Sequence, residues 1–94
     1  MAGVMLPRIT VTVYFTDEGA EPVDVPIRMG AMVELERKYG ASLNNYSDKM
    51  EYLLFLAHIQ LGYNGVVLKT FDRWIRTVDT IGLAGGGDTL DETQ

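Results

Sequence analysis

The 94-residue chain has a net charge of −5 and no cysteine, which indicates one domain with neither disulfides nor a thiolate metal site. Residues 1–78 hold eight Lys/Arg against nine Asp/Glu, and residues 79–94 hold four acids and no base, so no basic cluster exists to bind nucleic acid. The longest apolar stretch, Tyr52–Ala57, falls far below the roughly 18 residues of a membrane span, which predicts a cytoplasmic protein without a membrane partner.

The first predicted element is a β-hairpin. Residues 9–15 alternate strictly between apolar side chains and threonine or tyrosine, a pattern typical of a half-buried strand. Asp17–Glu21 has turn chemistry. Residues 23–27 alternate again and predict the returning strand, which should lie at a sheet edge because Pro26 has no N–H to donate.

Three helices are predicted after the hairpin. The first spans Met29–Tyr39 and ends at Gly40, a favourable C-cap residue. The second is capped by Ser47 or Asp48 and runs to about Leu61. The third starts after Thr70 and spans 71–81, because its apolar residues form one helical stripe: Phe71, Trp74, Ile75, Val78 and Ile81.

The predicted fold class is therefore α+β, with an N-terminal β-hairpin followed by three helices and a disordered acidic C-terminal tail. Residues 1–83 are assigned to the single α+β domain. Residues 84–94 are assigned to a flexible, glycine-rich acidic tail, because they have little apolar surface to bury.

The second helix is the most informative element, because it is apolar on two opposite faces. One face holds Met50, Leu53, Leu54, Ala57 and Leu61, and the other holds Tyr52, Phe55, Leu56, Ile59 and Tyr63. Either the rest of the fold covers both faces, or one face meets a partner or a second copy. The aromatic-rich face is the candidate, because aromatic residues are enriched at interface centres.

The predicted partner-binding residues are accordingly Tyr52, Phe55, Leu56, Ile59 and Tyr63. If this prediction is right, Phe55→Ser weakens binding more than folding, whereas Leu54→Ser unfolds the domain.

Few residues are suited to catalysis. His58 is the single histidine and is interpreted as a packing residue, and Ser42 and Ser47 lack a nucleophile motif. We therefore assign no catalytic, cofactor-binding or metal-binding residue and expect no enzyme activity. Glu36 lies on the apolar side of the first helix, which predicts an ion pair with Arg73 or Arg76, or contact with a basic partner.

Three stretches together resemble the tail assembly chaperones of long-tailed, siphovirus-type bacteriophages, particularly those of actinobacterial hosts. They are residues 32–40 (MVELERKYG), 52–59 (YLLFLAHI) and 71–81 (FDRWIRTVDTI). The resemblance covers roughly residues 9–83. It implies a protein of the host cytoplasm that is absent from the mature virion.

The resemblance also implies partners. Such chaperones bind the apolar tape measure protein, keep it soluble, and leave as tail tube subunits polymerise around it. A longer form made by ribosomal frameshifting recruits the tail tube protein in many relatives, and homo-oligomers are compatible with this role. The alternative is a small structural protein of the virion, a head–tail connector or tail completion protein.

Overall fold

Two strands open the fold where the alternating pattern predicts them. In the computed structural model, which describes residues 9–42 and 44–85, β1 spans Ile9–Phe15 and β2 spans Val23–Ile27. The strands pair antiparallel, with Val11 opposite Val25. The inward residues Ile9, Val11, Val13 and Val25 are buried, which confirms the predicted hairpin.

The first two helices also form near their predicted positions. Helix α1 spans Met29–Tyr39 and ends at Gly40, which has a left-handed φ of 73° and donates its N–H to the Glu36 carbonyl. Helix α2 spans Met50–Tyr63. It begins later than predicted: the N-cap residue is Lys49 instead of Ser47 or Asp48, and no side chain caps the helix.

The predicted third helix is wrong beyond its first turns. Helix α3 spans only Phe71–Trp74, a 3-10 turn follows at Ile75–Thr77, and strand β3 spans Val78–Gly85. Thr77 donates its hydroxyl to the Trp74 carbonyl at 2.7 Å, a local hydrogen bond that competes with continued helix. After Thr77, the β-branched Val78, Thr80 and Ile81 favour a strand, and Gly82 and Gly85 disfavour a helix.

Strand β3 changes the architecture. The sheet has three antiparallel strands in the order β2-β1-β3, with Val13 opposite Ile81 and Val11 opposite Leu83. The class is α+β, but the predicted hairpin followed by three helices and a disordered tail is wrong, because the third helix leads into a strand that returns to the sheet. Ala84 and Gly85, predicted to belong to the tail, are in β3; residues 86–94 lie outside the described residues.

The core lies between the sheet and the helices. Helix α2 packs mainly on β2 and also contacts β1, and α1 packs on α2. The largest fully buried apolar side chains come from all of these elements: Val11, Val13, Val25, Leu35 and Leu56. Strand β2 is an edge strand, as Pro26 predicts.

One polar side chain is buried in this core. Gln60 is 2% exposed. Its Oε1 accepts a hydrogen bond from the backbone N–H of Arg28 at 2.8 Å, and its Nε2 donates to Oδ1 of Asn64 at 3.0 Å. Arg28 is the N-cap residue of α1, so the hydrogen bond from Arg28 to Gln60 links α2 to the junction between β2 and α1.

We expect Gln60→Leu to lower the free energy of unfolding by about 1–3 kcal/mol, because it leaves the Arg28 N–H without its acceptor. Urea denaturation measures the change. Asn64→Ala is the matched control: it removes only the exposed partner of Gln60 and should cost less than about 1 kcal/mol. Equal losses for the two variants would contradict the structural role assigned to the Gln60 carbonyl.

Candidate protein-binding surfaces

The predicted partner-binding face of α2 does not form one continuous surface. Leu56 is fully buried and Phe55 is only 8% exposed. Tyr52 and Ile59 are half-buried, and Tyr63 is 54% exposed. The face therefore runs from the core, through a partly covered region, to solvent at the C-terminal end of the helix.

An aromatic cluster covers the middle of this face. The Phe55 ring packs edge-on against Tyr39 and Phe71, with ring centroids 5.4 and 6.2 Å away. Tyr39 also lies 5.1 Å from Tyr52. These contacts come from α1 and α3, so the rest of the fold supplies most of the cover that a partner was predicted to provide.

The Tyr39 hydroxyl of the cluster has a hydrogen-bond partner within the chain. Tyr39 donates its phenol to Glu51 at 2.8 Å. Burial, followed by this hydrogen bond, raises the pKa of Tyr39 to about 12. The phenol therefore stays protonated, and able to donate, at neutral pH.

His58 has a packing role, as predicted. Its ring lies 5.1 Å from Trp74 and 5.5 Å from Phe71. Its Nε2 is 2.9 Å from the Lys69 carbonyl, and because a carbonyl only accepts, Nε2–H must be the donor. His58 therefore ties the segment between α2 and α3 to the helix.

The exposed end of the predicted face borders a groove. We call it the α2 groove; it is lined by His58, Ile59, Gly62, Tyr63, Val66, Leu68 and Lys69. Tyr63 is oriented by a hydrogen bond to Glu34 at 3.1 Å. Partial desolvation, followed by this hydrogen bond, raises the pKa of Tyr63.

The loop after α2 adds apolar surface that the sequence analysis missed. Gly65 adopts a φ of 91° and the Val66 N–H donates to the Leu61 carbonyl, which turns the chain back along the helix. Val66 is exposed and Val67 is 98% exposed. Two consecutive valines in a short loop were the available signal, but they belong to no helical or strand period.

A second groove lies between the start of α2 and β3. It is lined by Met50, Leu54, Ile75, Val78, Asp79, Thr80 and Ile81. Met50 is 65% exposed. The sequence does not predict this groove, because the apolar spacing of residues 78–81 predicts a helix there.

The predicted ion pair of Glu36 with Arg73 or Arg76 is wrong. Glu36 is exposed and borders a shallow apolar hollow with Met29 and Met32. Within the described residues the one ion pair joins Glu34 and Arg37, at 3.7 Å on the surface. The expected pairing depended on a long third helix, which ends at Trp74.

The described part of the chain offers apolar grooves rather than clustered reactive groups. Across residues 9–42 and 44–85, no three or more His, Asp or Glu side chains gather as a metal site. Among the helices in those ranges, none has the length and apolar character needed to cross a membrane. The chain matches no protein-family model, and no curated protein or solved structure is significantly similar to it.

Proposed function

We propose that this protein is a tail assembly chaperone of a siphovirus-type bacteriophage, which binds the tape measure protein and keeps it soluble while the tail tube assembles. The observation that carries the proposal is the α2 groove, an open apolar surface on a small acidic protein. It lies at the end of one of the three stretches that resemble the chaperone family.

The side chains that line the groove are suited to binding an apolar client. Ile59, Val66 and Leu68 offer an apolar floor, and Tyr63 offers an exposed ring. A groove of this kind suits the apolar side of an amphipathic helix, which binds through residues spaced by three or four. The client is accordingly an apolar, helical segment of the tape measure protein.

Release is as necessary as binding, because tube subunits must replace the chaperone. A shallow groove that buries a few side chains gives modest affinity at each site. Many copies along one long client then give avidity without any single tight contact. The net charge of −5 keeps the coated client soluble.

This role places the protein in the host cytoplasm and outside the mature virion. A longer, frameshifted form would carry its extension beyond β3, at the end of the sheet where Ile9 faces Gly85. That extension would recruit the tail tube protein, while the α2 groove stays with the tape measure protein.

The test is co-expression with the tape measure protein of the encoding phage, followed by measurement of the soluble client and of binding to its purified segments. We expect the unmodified protein to keep the client soluble. Val66→Glu should weaken binding by about tenfold or more, which corresponds to about 1.4 kcal/mol, because a carboxylate would be buried against apolar surface. Val23→Glu, at a similarly exposed valine on β2, is the matched control and should bind normally.

Two results would overturn the proposal. One is a client that stays insoluble with the unmodified protein, and the other is equal loss of binding in both variants. A large closed ring formed without client would instead support the head–tail connector alternative.

A further inference from the structure

The two edges of the sheet differ in how well they are protected. The β2 edge is five residues long and contains Pro26, features that block the addition of another strand. The β3 edge is eight residues long, has no proline, and carries one charge, at Asp79. Among the described residues, β1 is the one strand that pairs with β3.

The inner face of β3 is also incompletely covered. Leu83 pairs with Val11 and Ile81 pairs with Val13, and directly paired residues lie on the same face of a sheet. The two valines are fully buried, whereas Leu83 is 46% exposed and Ile81 is half-buried. Because α2 packs on the β2–β1 half of the sheet, the apolar row continues beyond its cover.

We propose that β3 pairs antiparallel with β3 of a second copy of this chain, to give a six-stranded sheet in the order β2-β1-β3-β3-β1-β2. The pairing would satisfy the outer backbone groups of β3. It would also place Ile81 and Leu83 of one copy next to the same residues of the other copy. This contact would lie beside Met50, which is exposed at the groove between α2 and β3. The inference concerns self-association and does not depend on the proposed client.

Charge and shape favour a two-fold antiparallel pair of β3 strands over a head-to-tail array of copies. In an antiparallel pair centred on Gly82, Ile81 of one copy lies opposite Leu83 of the other, on the same face of the sheet. The two Asp79 carboxylates then lie at opposite ends of the pair, whereas a parallel pair would set them side by side. The outward residues Thr80, Gly82 and Ala84 are small. Pairing of β3 with β2 would continue without end, but Pro26 opposes it, so the two-fold arrangement closes with only protected edges left.

The first test is the molar mass of the full chain by light scattering over a dilution series. We expect about twice 10.5 kDa at high concentration. Leu83→Lys should raise the dimer dissociation constant by about tenfold or more, because a charge would be buried at the new interface. Val67→Lys, at an exposed valine in the loop after α2, should leave it unchanged, with circular dichroism confirming that both variants fold.

A second test does not depend on the stability of the Leu83 variant. The chain has no cysteine, so a single introduced thiol gives one interpretable product with a short bismaleimide cross-linker. A side chain at Gly82 would make only ordinary contacts with Tyr14 and Thr12, at 3.8 and 3.9 Å, so Gly82→Cys should fold and cross-link to itself. Asp24→Cys, on the β2 edge, should remain single.

A monomeric mass at every concentration would overturn the inference. That outcome would also result if the terminal residues of the same chain cover β3. A dimer that is insensitive to Leu83→Lys would also overturn it. So would cross-linking through Asp24→Cys instead of Gly82→Cys.

Discussion

Phe55→Ala is expected to lower the free energy of unfolding by about 3–5 kcal/mol, the usual cost of removing a buried aromatic ring. The ring is 8% exposed and packs edge-on against Tyr39 and Phe71. Removing it opens a cavity between α1, α2 and α3 and also removes the aromatic contacts that join them. Urea denaturation monitored by circular dichroism measures the loss.

Tyr63→Ala is the matched control, because Tyr63 belongs to the same predicted face but is 54% exposed. It should change stability by no more than about 1 kcal/mol while weakening binding at the α2 groove. This pair of results would reverse the expectation that Phe55→Ser affects binding more than folding. Stability unchanged by Phe55→Ala would contradict the burial of this ring.

Leu56→Ala should have a comparable effect, lowering the free energy of unfolding by about 2.5–5 kcal/mol. Leu56 is fully buried in the core cluster that includes Val11, Val13 and Leu35. A domain of this size has about 5–14 kcal/mol of stability in total, so the variant should lose a substantial share of it. Each kcal/mol lost lowers the Tm by about 4–8 °C in a domain of up to 100 residues.

Leu54→Ala provides the control for Leu56→Ala, since it makes the same chemical change two residues away on the same helix. Leu54 is half-buried and lines the groove beside β3, so it leaves a smaller cavity and should cost about 1 kcal/mol. The sequence-based expectation was that Leu54→Ser would unfold the domain. Comparable thermal melts for the two alanine variants would show that burial does not separate these positions.

Local patterns were sufficient for the first half of the fold. The strict alternation of residues 9–15 predicted β1 and its buried face, Pro26 predicted the edge strand, and Gly40 predicted the end of α1. Each prediction depends on a short-range constraint: the two-residue period of a strand, the missing N–H of proline, and the left-handed conformation that glycine adopts without strain.

The segment from Val78 to Gly85 could not be assigned in this way. Its apolar spacing fits a helix, but the segment forms a strand because residues distant in the sequence pair with it. The Thr16 N–H donates to the Thr77 carbonyl at 2.9 Å, and β1 pairs with β3 from Ile9 to Phe15. A regular strand would place Val78 and Ile81 on opposite faces. Both pack against the core because the pairing of β1 with β3 is irregular between Val78 and Thr80, and the sequence period does not predict that irregularity.

The exposure of the predicted partner-binding face also depends on tertiary packing. The sequence correctly identified α2 as apolar on two sides, but exposure depends on which neighbours fold over each side. Tyr39 and Phe71 cover Phe55, whereas nothing among the described residues covers Val67 or the ring of Tyr63 to the same degree. Amphipathic pattern is a property of one helix, while an open surface is a property of the packing between elements, and only the tertiary structure contains that packing.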